Sequence, residues 1–377
     1  MLPFAGVVAG PAYAPLVFGV AAAQVVYRAL ARRRLPQFDA SSLILAALFA
    51  GLCFASAAWS VVPGHTLAGA AQVTAVFLGA LIFLAQPALS EKTTTKVMRA
   101  MALAYLAGAL ILAFDASIGY PIQHFLSGDA PNAATKYNRG VAYAVLIAWP
   151  VLGRLWRDRD WRFALPLVLG MSLSAAIGWS LTAKIAALSA VAALLAASFA
   201  PRIVNWALAA GTAVFAAAVP FLLRAASDYR DWLFPYLKQS GQVRLELWNY
   251  MTARVFERPI LGWGFWSAAF LPIRPRELAS YTWVHTAGLY PHNQWLQLWV
   301  ETGILGAVLA IVFVLLALKR ARGLALPLQP FACAAFAAAV TVSLADFDLA
   351  TDSWWAALAV CAYLFKTAAH ADRSGVP

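Results

Sequence analysis

Residues 291–318 read PHNQWLQLWVETGILGAVLAIVFVLLAL, a run that starts with polar residues and then becomes almost entirely apolar. Pro291 suits the first position of a helix, and the apolar residues continue to Leu318. At 1.5 Å per residue, the 27 residues from His292 to Leu318 span roughly 40 Å, more than the ~30 Å hydrocarbon core of a bilayer. The stretch therefore predicts a membrane-spanning helix with His292 at its outer interface.

Similar apolar runs recur along the 377-residue chain, in which 63% of the residues are hydrophobic and only 12% are charged. This composition excludes a soluble core and predicts an all-α polytopic membrane protein with a single transmembrane domain over 1–377. The predicted spans are 1–31, 41–60, 66–87, 98–118, 139–153, 163–181, 184–200, 203–223, 292–318, 326–345 and 353–366. They make eleven crossings, or twelve if Gly10 and Pro11 split the first run, which we treat as a retained span rather than a signal peptide.

Cations cluster in alternate short connections, which the positive-inside rule places in the cytoplasm. They are Arg28, Arg32, Arg33, Arg34, Lys92, Lys96, Arg99, Arg154, Arg157, Arg159, Arg162, Arg202, Lys319, Arg320, Arg322, Lys366 and Arg373. The exception on the other side is the 68-residue segment 224–291, a loop long enough to escape the rule. Its eight cations indicate an anionic ligand outside the cytoplasm, and the placement of the +12 net charge argues against nucleic acid as a partner.

Within this loop, apolar residues recur near a helical period over 242–257, which predicts an amphipathic helix along the membrane surface. The next segment, RPILGWGFW (258–266), ends that helix with Pro259 and provides Gly262 and Gly264 for a turn.

On a helical wheel, His292, Gly303 and Gly306 share one face of the helix. The opposite face carries a polar stripe of Gln294, Gln297 and Glu301. We expect the glycines to admit a neighbouring helix and the stripe to be buried or to line a cavity. A helix N-terminus disfavours a charged imidazole and attracts anions, so His292 suits a general base beside a bound phosphate. From its position alone, an interfacial histidine that caps the helix is an equal alternative.

Two segments resemble a known family. His292-Asn293, then nine residues, then Gly303-Ile-Leu-Gly306 resembles the signature shared by O-antigen ligases and the related Wzy-type polymerases. Upstream, Arg244-Leu-Glu-Leu-Trp248 followed by Pro259-Ile-Leu-Gly-Trp-Gly264 is similar to a segment that this family carries in its large periplasmic loop. With the span count and the position of the loop, the resemblance covers most of the chain.

The resemblance implies a multi-pass enzyme of the bacterial inner membrane whose active site faces the periplasm. Its fold is expected to resemble that of the metal-independent GT-C-type glycosyltransferases, with inversion at the anomeric carbon and no cofactor. The family joins a glycan carried on undecaprenyl diphosphate to an acceptor, which for ligases is a sugar hydroxyl of the lipid A core in lipopolysaccharide biosynthesis. The expected partners are that donor, that acceptor and membrane lipids.

The same resemblance suggests roles for four side chains. His292 is expected to accept or orient the hydroxyl proton, while Arg244 holds the diphosphate, for which a guanidinium fork is well suited. Arg139, in KYNRG, resembles a family arginine that faces the donor phosphates. Lys184, in SLTAK, stands where the family usually carries arginine, so bidentate geometry is lost there. Each has an alternative role at the membrane surface. Arg244 would pair with a lipid headgroup, Arg139 would anchor its span at the interface, and Lys184 would snorkel to the interface.

Further residues are candidates for contact with the glycan or the acceptor: Trp263, Trp266, Arg274, Arg276 and Asn293. For the two late arginines, a solvated charge cluster is the alternative. Asp346, Asp348 and Asp352 share an outer turn, but no histidine completes a site there, so no metal is predicted. His65 and His285 are interpreted as interfacial, and Cys53, Cys333 and Cys361 as small core residues.

Competing functions differ first in the acceptor: a polymerase extends another lipid-linked unit, and a protein O-oligosaccharyltransferase modifies a protein. The short segment after residue 366 argues against the latter, and one dominant outer loop with eleven or twelve spans favours a ligase over a polymerase. A lipid-glycan transporter is a different class, for which we expect ionisable residues at mid-bilayer depth and two related halves. Neither feature is found in the sequence.

Overall fold

A computed structural model describes residues 13–32, 37–127, 133–237, 239–272 and 290–370. Over these ranges the regular structure is entirely helical, as predicted. The α-helices are α1 (Tyr13–Arg32), α2 (Ala40–Ala55), α3 (Pro63–Leu84), α4 (Glu91–Ser117), α5 (Pro121–Ser127), α6 (Ala133–Arg157), α7 (Trp161–Ile177), α8 (Leu181–Phe199), α9 (Pro201–Asp228), α10 (Arg230–Leu233), α11 (Gln239–Glu257), α12 (Gln294–Arg322), α13 (Gln329–Ala345) and α14 (Asp352–His370). Short 3₁₀ turns cover Ser56–Ala58, Phe234–Tyr236, Ala268–Phe270 and Leu326–Leu328.

The chain is a multi-pass membrane protein. Within the described ranges, seven helical stretches are long and apolar enough to cross a bilayer. They are Ala40–Ala58, Pro63–Leu84, Glu91–Ser117, Leu181–Phe199, Pro201–Ala226, Gln294–Arg322 and Leu326–Ala345, while Trp161–Ile177 is apolar but shorter. A long helix lies in each of the eleven predicted spans. The number of crossings stays a prediction, and Gly10 and Pro11 lie outside the described residues.

Salt bridges gather the cations of the short connections at one end of the bundle, here called the basic end. Arg99 at the start of α4 pairs with Asp160 before α7 at 2.6 Å. Arg154, near the end of α6, pairs with Asp158 at 2.6 Å. Arg320 at the end of α12 contacts Asp39, which caps α2. The 224–272 segment and the start of α12 belong to the opposite end, here called the loop end.

Helix α6 forms the centre of the bundle, because every residue from 140 to 155 is buried. A helix that is apolar all round is expected to be surrounded by other elements, and α6 packs against α4, α7, α8, α13 and α14. Arg139 precedes the buried stretch and is exposed at the loop end. The central helix of the bundle thus presents one of the predicted phosphate-binding arginines.

Gly303 interrupts α12. Its φ of 63° and ψ of −155° belong to a region that is essentially restricted to glycine, and they divide the helix into residues 294–302 and 304–322. A Cβ at this position would overlap the carbonyl group of Ile260. The prediction that Gly303 admits a neighbouring helix is therefore wrong, because the backbone of a loop approaches it instead.

The loop segment 258–264 replaces the hydrogen bonds that the helix loses at this break. Three backbone hydrogen bonds of 2.9 Å connect the two segments: Trp263 N–H to Val300 O, Gly264 N–H to Glu301 O, and Ile304 N–H to Pro259 O. Gly262 permits this approach, since a Cβ there would lie 2.5 Å from the Glu301 carbonyl carbon. The two sequence segments that resemble the family signature thus form one structural unit.

The same loop also contacts the connection between α2 and α3. The Phe265 N–H donates to Ser56 Oγ at 2.9 Å, and Trp59 Nε1 donates to Leu261 O at 3.1 Å. A side chain at Gly264 would overlap Ser60. The loop therefore fixes α12 relative to α2 and α3 at the loop end.

We predict that Gly303→Ala destabilises the protein, because alanine at this φ and ψ is strained and its Cβ collides with Ile260. The expected loss is at least about 2 kcal/mol of unfolding free energy. Gly211→Ala is the matched control, because a Cβ there meets nothing within 4 Å and alanine is favoured in a helix by about 1 kcal/mol. Thermal unfolding in detergent, followed by tryptophan fluorescence, measures both changes. Equal midpoints for the two variants would contradict the role of the break.

Candidate active site

Asn293 fixes the start of α12. Its Oδ1 accepts hydrogen bonds from the N–H groups of Trp295 and Leu296 at 3.1 and 3.0 Å, so the helix begins at Gln294. The prediction that Pro291 occupies the first helical position is wrong, since the stronger Asn cap lies two residues later. The side chain of Asn293 is buried and its carboxamide oxygen is occupied by this cap.

His292 lies immediately before the cap, outside the helix, and not on the helical face predicted for it. Its φ is 49°, a left-handed conformation that non-glycine residues seldom adopt and that is common at functional sites. Its imidazole contacts the ring of Tyr290, with centroids 4.0 Å apart. Its Nδ1 is buried and has no hydrogen-bond partner among the described residues. The half-buried histidine thus has a buried ring nitrogen whose hydrogen-bonding capacity is not used by the described residues.

Arg244 on α11 and Arg139 on α6 both act electrostatically on His292. Burial of the ring, and then the charges of Arg244 and Arg139, lower the pKa of His292 to about 4. The imidazole is therefore neutral at neutral pH, as predicted, although burial and cations take the place of the proposed helix N-terminus as the cause. Two arginines that are 105 positions apart in the sequence converge on one histidine.

The segment around Arg244 is tied directly to the His292 turn. Helix α11 spans Gln239–Glu257, close to the predicted 242–257, and buries Leu247, Tyr250 and Met251 against the bundle. Trp248, one turn after Arg244, donates from Nε1 to Pro291 O at 2.6 Å. This contact holds α11 beside the histidine.

Neither Arg244 nor Arg139 forms an ion pair or a side-chain hydrogen bond with any other residue that the structure describes. Arg244 is half-buried and Arg139 is exposed. Guanidinium groups that form no ion pair within the described ranges, beside a neutral imidazole, make a cationic site that suits an anionic ligand such as a diphosphate.

Asp346, in the connection between α13 and α14, also belongs to this cluster. The sequence did not predict it as a site residue. Burial raises the pKa of its carboxyl group, while the Phe347 N–H, Arg244 and Arg139 act to lower it. Burial likewise raises the pKa of Tyr290 to about 12, with Asp346 as the next cause. In the sequence, the only signal from Asp346 is its place in an acidic outer turn.

The polar stripe of α12 is buried, as predicted, and holds the connection between α13 and α14 in place. Gln297 Oε1 accepts the Leu349 N–H at 3.1 Å, and Gln297 Nε2 donates to Glu301 Oε1 at 3.1 Å. Gln294 Nε2 lies 3.4 Å from Asp348 O. The stripe thereby positions Asp346 and Asp348 relative to His292.

The remaining predicted residues lie at different distances from this cluster. Lys184 is half-buried in the first turn of α8 and is not among the charges that act on His292. Trp263 is buried, with Nε1 donating to Arg254 O at 2.9 Å, whereas Trp266 is half-buried and stacks on His65. Arg274 and Arg276 lie outside the described residues. Cys53, Cys333 and Cys361 are free and buried, as predicted.

No group of three or more metal-ligating side chains occurs within the described part of the chain, and the acidic outer turn does not form one. The arrangement consists instead of two cations, a neutral imidazole and the half-buried carboxyl group of Asp346.

Comparison with known proteins points to one family. A sequence model described as O-antigen ligase matches residues 132–311, a range that includes Arg139, Lys184, Arg244 and His292. The chain is 27% identical over 303 residues to a Rickettsia felis protein named "Putative polysaccharide ligase", an alignment covering 77% of this chain and 71% of the relative. A protein of the same name from Rickettsia bellii is 26% identical over 302 residues, with the same coverage.

A third relative is similar over a shorter region. A Rickettsia typhi protein that is also named a putative polysaccharide ligase is 35% identical over 85 residues, which is 22% of this chain and 21% of the relative. The family model and these relatives agree with the resemblance carried by the His292 and Arg244 segments. Residues 132–311 of this multi-pass membrane protein therefore match the O-antigen ligase family.

Proposed function

We propose that this protein transfers a glycan from undecaprenyl diphosphate to a sugar hydroxyl of the lipid A core, at the periplasmic face of the bacterial inner membrane. The single observation that carries the proposal is that Arg139 and Arg244, which form no ion pair with a described residue, both act electrostatically on a neutral His292 at the loop end. This site combines a group that accepts a proton with groups that stabilise a phosphate leaving group.

The reaction is a single displacement. The acceptor hydroxyl oxygen forms a bond to the anomeric carbon of the glycan while the bond from that carbon to the diphosphate oxygen breaks. The electron pair of the broken bond leaves with the diphosphate, whose developing charge Arg139 and Arg244 stabilise, and the hydroxyl proton passes to His292. One displacement inverts the configuration of the anomeric carbon, and the two guanidinium groups supply the charge stabilisation without a metal.

Binding of the donor is expected to change the pKa of His292. In the free protein, Arg244 and Arg139 lower the pKa of His292, so the imidazole is neutral but a weak base. A diphosphate bound to both arginines offsets their charge, and the pKa of His292 then rises. His292 therefore becomes a stronger base once the donor is in place.

The other candidates contribute at the margins of the site. Lys184 offers a point charge for the donor at the end of α8, and Arg274 and Arg276 offer charge to the phosphorylated acceptor. Trp266 in the loop is a candidate for saccharide contact, whereas Trp263 and Asn293 are buried and hold their own segments in place. A polymerase would use the same reactive centre but a lipid-linked acceptor. A transfer assay with each acceptor therefore distinguishes a ligase from a polymerase.

We predict that His292→Ala lowers the rate of transfer by about 10²- to 10⁴-fold and Arg244→Ala by about 10²- to 10³-fold, since one removes the base and the other a phosphate ligand. Transfer is measured with purified protein, an undecaprenyl-diphosphate-linked glycan and lipid A core, in the presence of a chelator. Arg202→Ala, which removes an exposed cation at the basic end, is the control and should retain the wild-type rate. Wild-type rates in the first two variants would refute the site.

A second prediction concerns the titration of His292. With ¹³C-labelled histidine, the His292 signal, assigned by its loss in His292→Ala, should titrate with a pKa near 4. Arg244→Gln removes a positive charge and should raise that pKa, and undecaprenyl diphosphate added to wild type should raise it as well. A pKa that neither change moves would show that Arg244 and the diphosphate are remote from the ring.

A further inference from the structure

A cavity of about 170 Å³ lies beside the arginine and histidine cluster, between the 258–272 loop, α3 and α12. The mechanism described above does not use it. Its walls combine aromatic rings, two carboxyl groups and one small exposed residue: His65, Trp266, Tyr290, Glu301, Asp348 and Ala269.

Glu301 places an unsatisfied acceptor at this cavity. Its side chain is fully buried, and Oε1 accepts Gln297 Nε2 at 3.1 Å. The N–H groups of Trp266 and Ala268 face the carboxyl group, yet Oε2 completes no hydrogen bond with good geometry to any residue in the described ranges. A buried acceptor of this kind is unfavourable unless a ligand or a water molecule satisfies it.

The aromatic wall is held rigidly. The rings of Trp266 and His65 stack with centroids 4.5 Å apart. Trp266 has a positive φ of 58° and is seated on Gly69, where a Cβ would lie 2.5 Å from its ring. Strain at Trp266 is maintained by this packing, so the position of the indole is fixed before any ligand arrives.

The cavity is coupled to the reactive centre through Tyr290. Tyr290 lines the cavity on one side and contacts the His292 ring on the other, with centroids 4.0 Å apart. A ligand in the cavity is therefore adjacent to the proposed general base.

We propose that this cavity binds one pyranose ring of the acceptor saccharide, on the far side of Tyr290 from His292 and next to the sugar whose hydroxyl reacts. Carboxyl groups accept hydrogen bonds from sugar hydroxyls, and an aromatic ring packs against the apolar face of the sugar. The volume is smaller than the roughly 300–1,000 Å³ of sites for drug-sized ligands, and so suits one ring. The proposal rests on the proposed function, whose site it extends with Glu301, Asp348 and Trp266.

Charge separates the two substrates. No arginine or lysine lines the cavity among the described residues, whereas Arg139 and Arg244 attract an anionic diphosphate on the other side of Tyr290. The neutral hydroxyls of the acceptor ring and the charged donor therefore take opposite sides of Tyr290.

Ala269→Phe tests the cavity directly, because Ala269 is exposed and its replacement fills the space without touching the cationic cluster. Asp348→Asn keeps the Oδ1 that accepts the Ala350 N–H at 2.6 Å but removes the charge. Ile260→Phe adds the same bulk at an exposed loop residue outside the cavity wall and serves as the control. In Ala269→Phe and Asp348→Asn, the KM for lipid A core should rise at least about tenfold while the KM for the donor and the His292 titration stay unchanged.

A rise in the KM for the donor alone would overturn the proposal, because the bound ring would then belong to the donor. Unchanged KM values in both variants would overturn it as well. Saturation-transfer NMR with free core oligosaccharide provides a readout without turnover. Wild type should give a saturation difference that Ala269→Phe abolishes and Ile260→Phe retains. If wild type shows this binding but no transfer, the proposed function fails and the subsite stands. A signal that is absent from wild type or retained in Ala269→Phe refutes the subsite.

Discussion

Three backbone hydrogen bonds join the loop segment 258–264 to α12 at the break around Gly303. Buried backbone groups must be paired, and an interrupted helix inside a membrane protein exposes several that are not. The loop pairs them, and in doing so it is held against α12 and against the connection between α2 and α3. The position of the loop determines where Trp266 lies, and the same helix begins at the cap that follows His292.

Electrostatics then divide the loop end into two regions around His292. On one side, α6 and α11 place Arg139 and Arg244 where both act on His292 and Asp346, without an ion pair to any described residue. On the other side, α12 and the connection between α13 and α14 bring Glu301 and Asp348 to a cavity. Holding like charges together costs stability, and the packed bundle maintains this arrangement. A charged donor and a neutral hydroxyl need such opposite environments on either side of a base.

Much of this fold could be predicted from the sequence, because apolar runs that exceed the bilayer thickness leave few alternatives to membrane helices. The family resemblance points to Arg139, Arg244 and His292, and in the folded chain both arginines act electrostatically on that histidine, while their roles stay a prediction. The break at Gly303 could not be predicted, since the apolar pattern continues through it and a glycine in a helix is also consistent with helix packing. The start of α12 was misplaced because Pro291 and Asn293 both signal a helix start. Asp346 and the cavity depend on contacts between distant segments, which hydrophobic periodicity does not encode.

The proposed mechanism requires Arg139 and Arg244 to hold the donor diphosphate beside His292. The most direct measurement is a cryo-EM structure of the protein with an undecaprenyl-diphosphate-linked glycan bound. We expect the diphosphate to lie between the two guanidinium groups, within hydrogen-bonding distance of both. The anomeric carbon should then face His292 and Tyr290. A diphosphate bound elsewhere, for example among the cations of the basic end, would contradict it.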